Sequence, residues 1–182
     1  MYTEIKTKRL LIRSWRFGDE KELAEVANNK KIARNLIDEF KYPYKLKDAK
    51  AWIKLTQHKN RPQRTFAITL NEKVIGGIGF SLEEKDKKHT AVTGYWLGED
   101  YWGKGYASEA LKAVTKYAFK NCDIERMEAK VYTWNKPSAH VLEKCGYKFE
   151  GTLRKNTLKD GKVVDEWMYS MIRKDLDKNK SV

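Results

Sequence analysis

The positions of apolar residues along the chain follow two periods, and each period predicts one type of element. Alternation of apolar and polar residues predicts strands at residues 7–14, 65–70, 73–82, 90–97, 126–132, 147–153 and 162–173. Apolar residues three and four apart predict helices from residue 19 and at residues 30–36, 46–58, 105–121 and 136–144. Because strands and helices interleave, the pattern predicts one α/β domain with a mixed sheet.

Local signals indicate where some of these elements begin and end. Asp19 can cap the first helix, and Glu22 stands three residues later, as in a capping box. The pair Asp160-Gly161 favours a type I′ turn between the last two strands. We expect a single domain over residues 1–175 and a charged C-terminal tail over residues 176–182 that frays.

Composition limits the class of protein. The chain has 182 residues, of which 41% are hydrophobic, and this is enough apolar material for one core. We find no apolar run long enough to span a membrane and no signal-peptide core, so we expect a cytoplasmic protein. Cys122 and Cys145 lack metal-ligand spacing and are expected to be small hydrophobes in a reducing compartment rather than a disulfide.

The formal net charge of +13 attracts anions and argues against a polyamine substrate. A phosphorylated cofactor, RNA and an acidic protein surface are all compatible with it. The lysines are spread along the whole chain, however, and a solvated surface without a specific partner explains them equally well. Charge alone therefore leaves the partner open.

A glycine pair, Gly103 and Gly105, links a predicted strand to the helix at residues 105–121. Glycine lets the backbone approach a phosphate and adopt positive φ. The first amides of the helix have no intrahelical partner and can donate to an anion. Taken alone, the pair is also consistent with a purely structural turn.

Two other phosphate-binding loops are excluded at this position. A P-loop needs Gly-Lys followed by Ser or Thr, whereas the order here is Lys104-Gly105-Tyr106. A dinucleotide fingerprint needs a third glycine where Ser108 stands, and an acidic residue at the end of the next strand, which the strand at residues 126–132 lacks.

Three blocks of sequence extend the glycine pair into a longer pattern. They are Thr7-Lys8-Arg9-Leu10-Leu11-Ile12-Arg13; Gly94-Tyr95-Trp96-Leu97 with Tyr101-Trp102-Gly103-Lys104-Gly105-Tyr106-Ala107-Ser108-Glu109-Ala110; and Asn135-Lys136-Pro137-Ser138 with Glu143-Lys144-Cys145-Gly146-Tyr147-Lys148-Phe149-Glu150-Gly151. In this order they resemble the GNAT acetyltransferases, and more narrowly the branch that acetylates the N-termini of ribosomal proteins. The resemblance covers nearly the whole chain.

The resemblance implies a fold and a cofactor site. The fold would be a mixed, mostly antiparallel sheet of about six or seven strands flanked by helices and splayed between two parallel strands, at residues 90–97 and 126–132. Acetyl-CoA would be the cosubstrate, with no metal. Its pantetheine arm would pair with the backbone near Trp96 and Leu97, and its pyrophosphate would lie on the amides of residues 102–107. The implied cofactor-binding residues are Trp96, Leu97, Trp102, Gly103, Lys104, Gly105, Tyr106, Ala107, Ser108 and Asn135.

The usual catalytic acid and base of the family are not both present in this sequence. Many members use a tyrosine as the acid, and Leu142 stands at that position here. Ser138 matches a serine that can take this role in the ribosomal branch, although it could also simply cap its helix. Val92 and Thr157 occupy the two positions where a glutamate base is usual. The remaining candidates for the base are His89, Glu99, His140 and Asp165. The alternative role of Asp165 is to organise the final hairpin, and that of His140 is packing.

Three functions follow from the resemblance. The first is acetylation of the N-terminal α-amine of a protein or peptide, with the ribosome or a ribosomal protein as partner. The second is acetylation of a small-molecule amine, and the third is a non-catalytic acetyl-CoA-binding module. Trp15, Tyr44 and Trp52 could line an acceptor groove or pack in the core. The chain would act as a monomer or a homodimer, without membrane contact.

Overall fold

The computed structural model describes residues 3–57 and 62–178, which form an α/β structure with eight strands and six helices in those ranges. The strands are β1 (Glu4–Lys6), β2 (Leu11–Ser14), β3 (Thr65–Leu70), β4 (Lys73–Leu82), β5 (Thr90–Leu97), β6 (Arg126–Tyr132), β7 (Lys148–Lys159) and β8 (Lys162–Ile172). The helices are α1 (Glu20–Ala27), α2 (Lys30–Ala33), α3 (Leu46–Thr56), α4 (Tyr106–Asn121), α5 (Lys136–Lys144) and α6 (Arg173–Lys178).

The hydrogen-bonded order of the strands is β1-β2-β3-β4-β5-β6-β8-β7. The described chain divides into two compact units, and β4 and β5 contribute residues to both. The first unit comprises the described parts of Met1–Gly79 and Tyr95–Val114, and the second comprises Phe80–Gly94 and the described part of Thr115–Val182. In the first unit, β1 to β4 pair antiparallel.

The second unit contains the parallel pairing that the family resemblance implies. β5 runs parallel to β6, with Thr90 opposite Arg126 and Val92 opposite Glu128. The paired register covers only these first three positions of each strand, whereas β6 pairs with β8 along its whole length. A mixed sheet that contains a short parallel ladder confirms the predicted fold class.

One hydrophobic cluster of the first unit's core packs helices α1 and α3 against strands. Its buried members are Trp15, Leu23, Ala27, Tyr44, Ala49, Ile53, Ala67 and Val74. In the second unit the buried side chains include Phe119, Ile124, Met127, Leu142, Tyr147 and Met171. Thr115 and Tyr147 also share a buried hydrogen bond of 2.7 Å between their hydroxyl oxygens.

Several predicted elements need correction. The strand expected at residues 7–14 begins only at Leu11, and residues 4–6 before it form a separate strand, β1. The Thr7 amide donates to the Leu10 carbonyl and the Leu10 amide donates to the Thr7 hydroxyl, which closes a turn over residues 7–10. This turn separates β1 from β2 and raises the strand number to eight. The helix expected at residues 30–36 ends at Ala33, β7 continues to Lys159, and residues 173–178 form α6 across the expected start of the tail. The predicted end of α3 at His58, and residues 179–182 of the tail, lie outside the described residues.

The capping box predicted at Asp19 is wrong. No side-chain hydrogen bond caps α1 there. The Asp19 carboxylate instead accepts two hydrogen bonds from the buried Arg13 guanidinium, at 2.7 and 2.8 Å. Glu22, the other member of the expected box, accepts from the backbone amide of Val74 at 2.8 Å. Both carboxylates therefore connect the helix to neighbouring strands rather than to its own first turn.

The predicted turn at Asp160-Gly161 is confirmed. Both residues have positive φ, 49° and 75°, as a type I′ turn requires. The turn joins β7 to β8, which pair antiparallel from Lys159 opposite Lys162 down to Lys148 opposite Ser170.

No disulfide joins Cys122 and Cys145 in the described chain, and Cys145 is buried, in agreement with its expected role as a small hydrophobe.

An ion-pair cluster in the second unit connects β6, β7 and β8. The Arg126 guanidinium donates to both carboxylate oxygens of Glu150, at 2.8 and 2.5 Å, and to Glu128 at 2.8 Å. The Ser170 hydroxyl also donates to Glu150, at 2.6 Å. The hydrogen bonds from Arg126 lower the pKa of Glu150 to about 2, against the opposing effect of burial. Arg126 itself has its pKa raised, chiefly by its hydrogen bond to Glu150.

This cluster predicts a pH dependence of stability. The folded pKa of Glu150, about 2, lies below the ordinary value of about 4.3, so the carboxylate stabilises the fold above pH ~4.3 and loses that effect as pH falls through about 2. We expect Glu150→Gln to be less stable than the wild type at pH 7 and to lose less stability between pH 5 and 2. Urea unfolding at each pH measures this, with Glu25→Gln, an exposed carboxylate on α1, as control. Equal acid sensitivity of Glu150→Gln and wild type would contradict it.

Candidate active site

The glycine loop belongs to the first unit and begins where β5 ends. The Gly98 amide donates to the Ile75 carbonyl of β4 at 2.9 Å, which fixes the exit of the strand. A single 3₁₀ turn at Glu99–Tyr101 follows, and α4 begins at Tyr106. The chain therefore runs from strand to loop to helix N-terminus, as the sequence predicts.

Gly103 and Gly105 have φ angles of 71° and 78°, which lie in the left-handed region that favours glycine. A Cβ added to Gly103 would meet no heavy atom within 4 Å, so space is open beside the backbone there. The first amides of α4, those of Tyr106 and Ala107, have no acceptor four residues earlier inside the helix. An open backbone next to such amides fits a phosphate group. The positive φ that the sequence predicts for both glycines is confirmed.

Two long side chains of the loop bind the loop itself. The indole Nε1 of Trp102 donates to the Leu97 carbonyl at 2.8 Å, which fastens the loop to the end of β5. The ammonium of Lys104 donates to the Asp100 carbonyl at 2.7 Å. Ser108, at the start of α4, is buried. Residues 102–108, which are expected to bind the cofactor, thus lie close to Leu97. Trp102 and Lys104 also fix the shape of the loop through these hydrogen bonds.

Trp96 lies in an aromatic cluster of the first unit. Its ring centroid is 5.4 Å from that of Phe40, which stacks on Tyr44 at 5.1 Å. Glycine is needed opposite, because a Cβ on Gly77 would lie 2.9 Å from the Trp96 Nε1, and one on Gly76 would lie 2.3 Å from its carbonyl oxygen. Burial, with a smaller contribution from the Asp48 carboxylate, raises the pKa of Tyr44 to about 12, so this phenol stays neutral.

The three aromatic residues considered for an acceptor groove separate into two groups. Trp15 and Tyr44 are buried members of the core, whereas Trp52 is 37% exposed on α3. On β5, a Cβ added to Gly94 would meet nothing within 4 Å. Because side chains alternate along a strand, Gly94 shares its face of β5 with Val92 and Trp96. Open space is therefore available on that face.

Asn135 and Ser138 belong to the second unit, where both are half-buried at the start of α5. Asn135 is the N-cap residue, and its side-chain oxygen accepts from the Ser138 backbone amide at 3.4 Å. The Asn135 carbonyl accepts from the same amide at 3.1 Å. Leu142, at the position where many GNAT members have a tyrosine, is fully buried. Ser138 therefore places its hydroxyl on a helix start that Asn135 orders.

The remaining candidates for a base are occupied or exposed. The Glu99 carboxylate accepts from Lys31 and from Asn29, and these hydrogen bonds lower its pKa. Asp165 accepts from the Lys155 amide at 2.8 Å, in keeping with its alternative role in the final hairpin. His89 and His140 are exposed. A carboxylate with a lowered pKa is a weak acceptor for a proton from an ammonium group.

A contact that the sequence interpretation missed joins the first block to the glycine loop. Arg9 and Glu109 lie 100 residues apart, and the Arg9 Nε donates to the Glu109 carboxylate at 2.7 Å. Arg9 lies in the first of the three sequence blocks and Glu109 in the second. A pair of opposite charges inside two blocks of one pattern is the only signal in the sequence that could have suggested the contact.

The family is shown by sequence. The profile described as "Acetyltransferase (GNAT) domain" matches residues 9–148, and the chain therefore belongs to the GNAT acetyltransferase family. Its class is N-acetyltransferase, for which acetyl-CoA is the acetyl donor. Among the described residues, no group of three or more His, Cys, Asp or Glu side chains is arranged to hold a metal ion. No helix of the described chain is long and apolar enough to cross a membrane.

The chain is similar to several bacterial N-acetyltransferases. Uncharacterized N-acetyltransferase YnaD of Bacillus subtilis is 29% identical over 171 residues, 94% of this chain and 98% of that protein. Uncharacterized N-acetyltransferase p20 of Bacillus licheniformis is 35% identical over 112 residues, 60% of this chain and 62% of that protein, which is less than two thirds of its length. The ribosomal protein uS5-alanine N-acetyltransferase of Escherichia coli is 30% identical over 104 residues, 57% of this chain and 54% of that enzyme.

Solved structures share the fold. A GNAT-family acetyltransferase from Bacillus anthracis superposes with a TM-score of 0.81 at 28% identity, covering 94% of this chain and 99% of the other. RimL, a ribosomal L7/L12 α-N-protein acetyltransferase solved with coenzyme A, gives a TM-score of 0.83 at 22% identity, covering 96% and 100%. At 22% identity, the similarity to RimL shows a shared fold alone.

Proposed function

We propose that this chain transfers the acetyl group of acetyl-CoA to the N-terminal α-amine of a protein or peptide, with a ribosomal protein as the first acceptor to test. The observation that carries the proposal is the absence of a carboxylate at Val92 and Thr157, the two usual positions of the base. The relatives support the same acceptor, because one of them is named for acetylating the alanine of ribosomal protein uS5.

The acidity of the acceptor explains why the missing base matters. An α-amine has a pKa near 8, so roughly a tenth of it is neutral at pH 7. A lysine side chain with a pKa near 10.4 is neutral in only about one molecule in a few thousand. Only the neutral amine has the lone pair that attacks a thioester carbonyl. A site without a strong base therefore favours an α-amine by two to three orders of magnitude.

The residues present fit acetyl-CoA. The open backbone at Gly103 and the first amides of α4 would hold the pyrophosphate, and the strand backbone at Trp96 and Leu97 would pair with the pantetheine amides. In the second unit, Asn135 caps the start of α5. When bound, the thioester supplies an activated acyl group with a thiolate as leaving group.

The chain's own groups then assist a direct transfer. The neutral α-amine attacks the thioester carbonyl, the new C–N bond forms, and the C–S bond breaks. A backbone amide of β5 would donate to the carbonyl oxygen while it carries negative charge. The Ser138 hydroxyl would donate a proton to the departing sulfur, and the proton lost by the amine would pass through water to restore the serine hydroxyl. The products are an N-acetylated chain and coenzyme A.

A panel of matched peptides tests the acceptor. Each peptide begins with Ala, Ser or Met and is paired with a copy that is blocked at its N-terminus and carries one internal lysine. Release of the coenzyme A thiol at pH 7 measures turnover. We expect kcat/KM to be at least about 100-fold higher for the free N-termini, as the neutral fractions require.

Three results would contradict the proposal. Faster acetylation of the internal lysine would show that the site neutralises an ammonium without the expected base. Turnover on small amines but on no peptide would move the assignment to small-molecule acetylation. Thermal stabilisation by acetyl-CoA without turnover on any amine would indicate a non-catalytic binding module.

A further inference from the structure

The Arg9 side chain is anchored on the glycine loop of the first unit by three separate contacts. Its Nε donates to Glu109 at 2.7 Å, and its Nη1 donates to the Lys104 carbonyl at 2.9 Å. The guanidinium carbon also lies 4.5 Å from the centre of the Tyr106 ring, in cation–π contact. Two hydrogen bonds and one stacking contact fix the plane of the guanidinium, so its remaining nitrogen points in a fixed direction.

That remaining nitrogen, Nη2, stands beside the turn where a phosphate would bind. A Cβ placed on Gly105 would lie 3.4 Å from Nη2. Within the described chain, Nη2 has no hydrogen-bond partner of its own. Arginine carries its charge at all relevant pH values and can bind phosphate through parallel donors. A fixed, charged donor therefore lies next to the unpaired first amides of α4.

Charge balance gives a second reason for an arginine at this position. Glu109 lies in the first turn of α4 and accepts from Thr7 at 2.6 Å and from the Arg9 amide at 2.8 Å. Burial raises the pKa of Glu109, but these hydrogen bonds and the Arg9 charge lower it by more, so the carboxylate is ionised. A negative carboxylate there would repel a phosphate. The Arg9 charge offsets it and keeps the site attractive to an anion.

We infer that Arg9 is a cofactor-binding residue whose Nη2 donates to a phosphate oxygen of acetyl-CoA, while its Nε and Nη1 hold the loop in shape. The inference rests on the proposed placement of the pyrophosphate at Gly103 and Gly105. It assigns a function to the first sequence block, where Thr7 and Arg9 together hold Glu109. The pyrophosphate and the 3′-phosphate of the same ligand are the two possible sources of that oxygen.

Isothermal titration of coenzyme A and of 3′-dephospho-coenzyme A, at several salt concentrations, tests the inference. We expect Arg9→Ala to weaken coenzyme A binding about tenfold and to reduce its salt dependence, because one charge that contacts phosphate is lost. Arg9→Lys should keep the salt dependence and recover part of the affinity. The matched control is Lys8→Ala, which removes the same charge from the exposed neighbouring residue and should change affinity less than twofold.

The outcomes separate the possible roles of Arg9. A tenfold loss for both ligands identifies the pyrophosphate as the contacted group, and a loss for coenzyme A alone identifies the 3′-phosphate. Unchanged affinity in Arg9→Ala, or a loss of affinity with the wild-type salt dependence, would overturn the inference and leave a role in loop shape only. If Arg9→Ala does not fold, Arg9→Gln removes the charge with a smaller change of shape. Binding needs no acceptor, so failure of N-terminal acetylation would not affect this result.

Discussion

Replacing Asp19 with alanine should lower the free energy of unfolding by about 3–5 kcal/mol, the range for breaking a buried ion pair. Arg13 and Asp19 are each 5% exposed in their side chains and are joined by two hydrogen bonds. Without Asp19, the guanidinium keeps one acceptor among the described residues, the Ser14 carbonyl at 3.1 Å. A buried charge without its counterion is costly because it has lost its hydration. Urea denaturation followed by circular dichroism measures the change.

Two further variants identify the cause of that loss. Arg16→Ala removes the exposed partner of Asp19, whose Nε lies 3.6 Å from the carboxylate, and should cost less than about 1 kcal/mol. Arg13→Met with Asp19→Ala replaces the pair by apolar groups, and it should be more stable than Asp19→Ala alone. If the double variant were no more stable than the single one, the uncompensated charge would not explain the loss.

The sequence could not reveal this pair, although it predicted the helix beside it. An aspartate just before a helix, with a glutamate three residues later, reads as a capping box in any isolated peptide. Which partner an aspartate takes depends on whether a stronger donor reaches it in three dimensions. The Arg13 guanidinium does so here from β2, and a charge-assisted pair of hydrogen bonds is stronger than one amide in a cap.

The predicted strand at residues 7–14 was wrong for a similar reason. Leu10 and Ile12 alternate with Leu11 and Arg13, and such alternation cannot show where a side chain will break the ladder. The Thr7 amide donates to the Leu10 carbonyl and the Leu10 amide donates to the Thr7 hydroxyl, and this turn separates β1 from β2. The periodicity of apolar residues indicates which face of a strand is buried. A turn is predicted from residues such as glycine and proline, and none of them stands between Thr7 and Leu10.

The glycine loop was the part of the site most open to prediction. Positive φ at Gly103 and Gly105 and the periodicity of the following helix both depend on residues that are adjacent in the sequence, so both could be predicted. Contacts between residues that are distant in the sequence could not be predicted in this way. The Arg9–Glu109 pair spans 100 positions and depends on the fold bringing the turn before β2 to the first turn of α4. Likewise, only the fold shows that the Glu99 carboxylate accepts hydrogen bonds from Lys31 and Asn29.

Replacing Ser138 with alanine should lower kcat for acetyl transfer by about 100-fold, the lower end of the range for general acid catalysis. The lower end applies because a thiolate is a better leaving group than an alkoxide and needs less help from a proton. The change leaves the start of α5 intact, since Asn135 caps the helix through the backbone amide of Ser138 and not through its hydroxyl. Binding of coenzyme A should therefore change less than twofold. Steady-state kinetics with a free N-terminal peptide, together with titration calorimetry, measures both quantities.

A loss of kcat with unchanged binding is the pattern of an interaction made only in the transition state. Ser138→Thr keeps a hydroxyl and should recover part of the rate, whereas Asn135→Ala should lower stability by about 1 kcal/mol through the lost cap. If Asn135→Ala reduced kcat as much as Ser138→Ala did, order at the helix start rather than the hydroxyl would explain both losses. An unchanged kcat in Ser138→Ala would remove Ser138 from the mechanism. With Leu142 buried at the usual tyrosine position, the sulfur would then take its proton from water.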